Sequence, residues 1–109
     1  MAVNFYKLIQ LVIDKLPLEK IVYFLGHVDR DNNGNERFKT IGKLLDEKVT
    51  LEGLFTIVLK TEVTNRHYQF VTQTNGTDTV KSPMEMFEEL RIDNDLQFVD
   101  KKIREFYGI

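Results

Sequence analysis

Residues 54–72 read LFTIVLKTEVTNRHYQFVT, and the fold predicted from the sequence depends mainly on this stretch. Two β-rich runs, residues 54–63 and 68–72, stand on either side of a polar connection, Thr64-Asn65-Arg66. Two such runs across a short polar break are typical of an antiparallel β-hairpin. We therefore expect two neighbouring antiparallel strands in the second half of the chain.

The segment before this hairpin predicts a helix that leads into a strand. Apolar residues recur at helical spacing from Phe5 to Leu16, with Asn4 as the expected cap and Pro17 as the end of the helix. Residues 21–26, IVYFLG, form a continuous apolar run, which is the pattern of a strand buried on both faces. A helix followed by such a strand indicates an α/β unit.

The segment after the hairpin predicts a loop and then two helices. Residues 74–81 are loop-like, and Ser82-Pro83-Met84-Glu85 has the parts of a capping box, so we expect a short helix through Leu90. Asn94 is the expected cap of a last helix that ends near Gly108. The apolar positions of that helix are Leu96, Val99, Ile103 and Phe106.

The composition is that of one globular domain. With 42% hydrophobic and 29% charged residues among 109, we expect a single domain of the α/β (α+β) class over residues 1–109. The sequence has no cysteine, which excludes a disulfide framework and a zinc–thiolate site. No apolar run has the length of a membrane span, so we expect a cytoplasmic protein without membrane contact. The net charge of −2 argues against general polyanion binding.

Residues 27–40, HVDRDNNGNERFKT, allow two interpretations. The first, third, fifth and sixth positions of an EF-hand calcium loop are filled by Asp29, Asp31, Asn33 and Gly34. Position 12, which needs a bidentate Glu, is Thr40, so we favour a polar turn between two strands and expect no tight calcium binding. Phe38 and Ile41 mark the expected return strand, and residues 42–48 predict a helical turn or a loop.

Acidic residues are concentrated near the end of the chain. Between Met84 and Asp100, Arg91 is the single base, and the acids are Glu85, Glu88, Glu89, Asp93, Asp95 and Asp100. An acidic helical face of this kind is usually a solvated surface. The alternative is a contact surface for a basic partner, for which the candidates are Glu85, Glu88, Glu89, Asp93 and Asp95.

The sequence lacks the common catalytic motifs. Ser82 has no nucleophile elbow around it, and neither His27 nor His67 has metal-binding spacing. The sole Gly-Lys pair, Gly42-Lys43, is followed by Leu44 and does not complete a Walker A loop. We therefore expect no enzyme activity from this chain on its own and no resident cofactor.

Several segments resemble the C-terminal half of phage P-loop nucleotide-binding proteins, the RecA-like ATPases of bacteriophages and prophages linked to single-strand annealing and recombination. The main ones are residues 21–27 (IVYFLGH), 39–48 (KTIGKLLDEK) and 51–59 (LEGLFTIVL). Residues 72–76, 81–84 and 94–96 extend the resemblance over nearly the whole chain. It implies half of a RecA-like sheet domain without the Walker A region.

The same resemblance implies roles for two basic side chains. His27, at the end of the apolar strand, is implied to be a sensor that faces the γ-phosphate of ATP, and Lys81 is implied to lie near phosphates. From the residues alone, His27 closes a buried strand and Lys81 is a solvated loop base, and we favour this interpretation for both. ATP and magnesium are expected only if a Walker-A-bearing half completes the site.

These observations leave three hypotheses open. The first is a small phage- or prophage-encoded protein that is not catalytic and binds a phage or host protein in the bacterial cytoplasm, such as a recombination protein or a CRISPR effector. The second is the C-terminal part of a split recombination ATPase. The third is a gene remnant without function. The sequence does not decide whether nucleic acid is contacted.

The apolar run at residues 21–26 also predicts self-association. In the complete family fold this strand lies inside a parallel sheet, and a chain without its neighbours presents a hydrophobic edge. We expect that edge to pair with a second copy as a two-fold dimer, or to be kept for the target.

Overall fold

The computed structural model describes residues 2–38 and 54–109. The chain divides into two compact units, Met1–Phe55 and Thr56–Ile109. The expectation of a single domain stays a prediction. The predictions for Ile41 and for residues 42–48 lie outside the described residues.

The first unit begins with the predicted helix, α1, which spans Ala2–Lys15. The helix starts before Asn4, so the expected capping role of Asn4 is wrong, while its end just before Pro17 agrees with the prediction. Ile9 is almost fully buried, whereas Leu8, Ile13 and Leu16, which the sequence places on the same apolar face, are 48%, 53% and 42% exposed. The predicted apolar face is therefore only partly buried among the described residues.

A short antiparallel hairpin follows in the same unit, formed by β1 (Val28–Arg30) and β2 (Glu36–Phe38). This pairing confirms the interpretation of the loop as a turn between two strands. Gly34 has a φ of +82°, a left-handed value that a glycine adopts without strain. Arg30 and Glu36 are directly paired in the register, and their side chains form an ion pair that closes the hairpin next to its loop.

The predicted buried strand at residues 21–26 is wrong. Residues 21–27 have no regular secondary structure, and Leu25 is 85% exposed. An apolar run becomes a strand only when neighbouring strands pair with its backbone, and no strand pairing among the described residues includes it. Phe24 instead makes an edge-to-face contact with Phe55, at 5.5 Å between ring centroids. Residues 21–26 therefore form no unpaired strand edge, and this edge was the basis on which we expected a dimer. Self-association stays a prediction, now without that basis.

The second unit contains a three-stranded antiparallel sheet in the order β3-β4-β5. The strands are β3 (Lys60–Thr64), β4 (His67–Val71) and β5 (Arg91–Asp93). The β3–β4 pair confirms the predicted hairpin, although β3 begins six residues later than the predicted run. Its two-residue turn, Asn65-Arg66, has positive φ at both positions, as in a type I′ turn. The resemblance implied a sheet with a parallel strand, but all pairings among the described residues are antiparallel.

The helix predicted from Ser82 through Leu90 is also wrong. The Ser82 hydroxyl donates to the carbonyl oxygen of Thr72, at 2.8 Å, instead of capping a helix. Glu85 has a φ of +71°, which a right-handed helix does not allow, and the bond from the Met86 amide to the Pro83 carbonyl closes only one turn. The capping-box pattern takes only neighbouring residues into account, whereas the Ser82 hydroxyl bonds a residue ten positions earlier in the chain.

The last predicted helix is confirmed as α2, Leu96–Tyr107. Its cap is Asp95 rather than Asn94, because the Asp95 carboxylate accepts hydrogen bonds from the amides of Gln97 and Phe98, at 2.9 and 3.4 Å. Gly108 ends the helix in the left-handed conformation, as predicted.

The core of the second unit is small and combines strand, loop and helix residues. Its buried apolar side chains are Val71, Val80, Met86, Ile92, Val99 and Ile103. Two of the four apolar helix positions predicted from sequence, Val99 and Ile103, belong to it, while Leu96 and Phe106 are about 40% exposed. Among the described residues, no helix has both the length and the apolar character needed to cross a membrane.

Candidate functional site

Four of the five acidic residues proposed for partner binding line one depression of about 300 Å³ on the second unit. Glu88 and Glu89 come from the irregular segment before β5, Asp93 ends β5, and Asp95 caps α2. All four side chains are exposed. Glu85 is exposed as well but does not line the depression, so the structure brings together four of the five candidates. We call this surface, formed by Glu88, Glu89, Asp93 and Asp95, the acidic rim.

The segment that carries Glu88 and Glu89 is fastened to the sheet by Thr72, which is 1% exposed. The Thr72 hydroxyl lies 2.8 Å from the carbonyl oxygen of Glu89 and 3.1 Å from that of Leu90. The Thr72 amide also donates to the Leu90 carbonyl, at 2.9 Å. A buried threonine at the end of β4 thus fixes the main chain next to the acidic rim.

Apolar and aromatic side chains line the same depression. Phe87 is half-buried, Ile92 is buried, and Phe98 on α2 is 38% exposed. The ammonium group of Lys102 stands 5.5 Å from the centroid of the Phe98 ring, a distance at which a cation is attracted to an aromatic face. Protein interfaces commonly have a centre enriched in aromatic residues and a polar rim, and the depression contains side chains of both kinds.

Two cations partly balance the acidic rim. Lys102 is one, and Arg91 is the other, with its Nε donating to Glu62 Oε1 of β3 at 2.7 Å. The hydrogen bond to Glu62, and then the negative charge of that carboxylate, raise the pKa of Arg91, which therefore stays cationic. Because Arg91 is engaged with Glu62, the four carboxylates of the acidic rim outweigh the remaining lysine.

The residues proposed from the family resemblance lie in different units. His27 is exposed and directly precedes β1 in the first unit. Lys81 is half-buried in the second unit, where its amide and carbonyl each bond Val58, both at 2.9 Å. The backbone of Lys81 thus has a structural role, and the nucleotide-related roles of both residues stay predictions.

The residues of the calcium-like loop serve the β1–β2 turn. Asp31 Oδ1 accepts hydrogen bonds from the amides of Asn33 and Asn35, at 2.9 and 3.0 Å. The main chain of Asp29 lies opposite that of Arg37 in the register of the two strands. Within residues 2–38 and 54–109, no three His, Cys, Asp or Glu side chains are grouped in a way that suits a metal ion. The weak calcium affinity expected from the sequence stays a prediction.

Sequence reasoning missed the aromatic part of the site. Phe98 and Lys102 are four residues apart on one helix, a spacing that places them side by side, and this signal was available from the sequence. Gln69 and Phe87 also line the depression, but they come from a strand and an irregular segment that no local pattern connects. No known family model matches the chain, and neither a curated relative nor a similar solved structure was found.

Proposed function

We propose that this chain is a non-catalytic protein-binding module whose acidic rim contacts a basic segment of another protein. The observation that carries the proposal is that four carboxylates from three separate parts of the second unit line one depression together with Phe98. Charged groups at the edge of an interface favour a partner of opposite sign and increase the rate of encounter. The exposed aromatic ring supplies apolar contact for the stem of a lysine or arginine side chain.

The resemblance to phage RecA-like ATPases suggests where such a partner is found. Under this proposal the protein acts in a bacterial host, and its partner is a phage recombination protein or a nucleic-acid-handling host protein such as a CRISPR effector. Proteins that handle nucleic acid carry basic surfaces, which complement the acidic rim.

The test uses a fluorescently labelled arginine-rich peptide as a probe for a basic partner segment. We expect the chain to bind the peptide and the affinity to fall as the salt concentration rises, because exposed charge pairs are screened. The double variant Glu88→Gln, Glu89→Gln should weaken binding by about three- to tenfold, as expected for the loss of two exposed charge contacts. Fluorescence anisotropy gives the dissociation constants.

The matched control is Asp14→Asn, Glu105→Gln, which removes the same charge from exposed positions outside the acidic rim. Equal weakening by both double variants would mean that only the net charge matters, and the proposal would then be wrong. Titration of the same preparation with magnesium and ATP tests for a nucleotide site in the chain alone, where we expect no binding. Nucleotide binding that is lost in His27→Ala would show such a site and would contradict a role in protein binding alone.

A further inference from the structure

The described residues contain two Asn-Gly pairs, Asn33-Gly34 and Asn75-Gly76, and both lie in exposed turns. Both glycines have left-handed backbones, with φ of +82° and +101°. Both glycine amides are also engaged, since Gly34 donates to the Asp31 carbonyl at 3.1 Å and Gly76 donates to Thr74 Oγ1 at 3.0 Å. The two pairs therefore share an exposed position, a left-handed glycine and a glycine amide that donates a hydrogen bond.

An Asn-Gly pair can undergo a self-contained covalent change. The glycine amide nitrogen attacks Cγ of the asparagine, the N–Cγ bond forms and the Cγ–Nδ2 bond breaks. The proton of the amide nitrogen leaves with the amino group as ammonia, and a five-membered succinimide remains. Water then adds to either ring carbonyl and opens the ring to aspartate or isoaspartate. Glycine favours this attack because no Cβ obstructs the nitrogen.

The asparagine side chains of the two pairs differ. Asn75 Oδ1 accepts hydrogen bonds from the amide and the hydroxyl of Thr77, at 2.9 and 2.8 Å. Rotation of the Asn75 side chain toward its own main chain must break both bonds. In the part of the chain that the structure describes, no hydrogen bond reaches the Asn33 side chain, which is exposed.

We infer that Asn33 is a site of spontaneous deamidation and that the fold protects Asn75 from the same reaction. The product at position 33 carries a carboxylate in the loop that already contains Asp31 and that follows the β1 residue Asp29. An isoaspartate adds one methylene to the main chain between the Asp31 carboxylate and the Asn35 amide that bonds it. Modification therefore adds negative charge to the β1–β2 loop and lengthens its main chain.

The test incubates the full-length chain in mildly alkaline buffer at physiological temperature and follows both asparagines by peptide mass spectrometry. The peptide with Asn33 should gain the mass of deamidation about tenfold faster than the peptide with Asn75, the ratio expected for two hydrogen bonds of ordinary net strength. In concentrated urea the two rates should become similar, because the unfolded chain lacks the hydrogen bonds of Asn75 and both asparagines are followed by glycine.

Two variants complete the test. Thr77→Val removes the hydroxyl donor to Asn75 and should accelerate conversion at Asn75 by roughly threefold, with no change at Asn33. Asn33→Gln should abolish conversion at position 33, because the longer side chain does not form the five-membered ring. Equal rates in the folded chain, a faster Asn75, no conversion at Asn33, or a rate ratio that persists in urea would each overturn the inference.

Discussion

Thr72 joins two parts of the chain that are far apart in sequence. Its hydroxyl donates to the carbonyl oxygens of Glu89 and Leu90, and its own carbonyl accepts the hydroxyl of Ser82, which in turn accepts a bond from the Gln73 side chain at 3.0 Å. A buried hydroxyl with these partners stabilises the fold by satisfying partly buried carbonyl groups.

We expect Thr72→Val to lower the free energy of unfolding by about 1–2 kcal/mol, because the Glu89 carbonyl loses its hydroxyl donor while the side-chain shape is nearly kept. The measurement is urea denaturation followed by circular dichroism. Thr72→Ser keeps the hydroxyl and is the control, with most of the stability retained. If Thr72→Ser lost as much stability as Thr72→Val, keeping the hydroxyl would bring no benefit, and the hydrogen bond would not be the source of the loss.

Single residues show how far local sequence rules reach. The capping rule found the start of α2 to within one residue, since Asn94 and Asp95 are both good caps and only the backbone conformation decides between them. The same rule failed at Ser82, where a hydrogen bond to Thr72 replaced the local one. A motif read within four residues does not reveal a competing partner ten residues away.

The turn of the β3–β4 hairpin consists of two residues that are not glycine. Asn65 and Arg66 have φ of +52° and +66°, and a Cβ makes this conformation costly for Arg66 in particular. Asn-Gly is the preferred pair in such a turn, so the hairpin forms despite its second turn residue.

We expect Arg66→Gly to raise the free energy of unfolding by about 0.5–1 kcal/mol, the relief of left-handed strain less the greater flexibility of glycine in the unfolded chain. Thermal denaturation followed by circular dichroism measures the change. The control is Arg66→Ala, which removes the long side chain but keeps the Cβ and should give no gain. A gain of equal size in both variants would show that the arginine side chain, and not the backbone, is the source of the strain.

The elements that the sequence predicted well are those whose partners are close in sequence. The β3–β4 hairpin and the helices α1 and α2 are closed by bonds within the same short segment. The run at residues 21–26 required neighbouring strands that the sequence does not specify. The three-residue strand β5 is too short to show an alternating pattern, so it was missed although it completes the sheet.

The core of the second unit depends on few side chains. Val99 and Ile103 on α2 are buried, whereas Leu96 on the same helix is 40% exposed. We expect Ile103→Ala to lower the free energy of unfolding by about 2–4 kcal/mol through lost burial and a cavity. Leu96→Ala removes a similar side chain from an exposed position and should cost less than about 1 kcal/mol. Urea denaturation compares the two, and equal losses would contradict this placement of the core.

The candidate site was predicted in composition but not in arrangement. The acidic residues between positions 85 and 95 were expected on a helical face, whereas the structure presents Glu88, Glu89, Asp93 and Asp95 on an irregular segment, a strand end and a helix cap. The concentration of acidic residues in this segment can be read directly from the sequence. Their convergence around Phe98 depends on how β5 joins the sheet, which is a long-range contact.

The segment between β4 and β5 is closed at its base, where the amide and hydroxyl of Thr72 bond the Leu90 carbonyl, while the residues around Gly76 are exposed at its tip. The entropy of closing a loop grows only with the logarithm of its length, and each doubling costs about 0.6 kcal/mol. Foreign sequence placed after Gly76, such as an epitope or a dye-binding tag, should therefore leave the sheet pairing in place. The same insertion between Asn65 and Arg66 would separate two strands that depend on a two-residue turn. The tip at Gly76 is thus the place to attach a label that reports on this protein without disturbing the acidic rim.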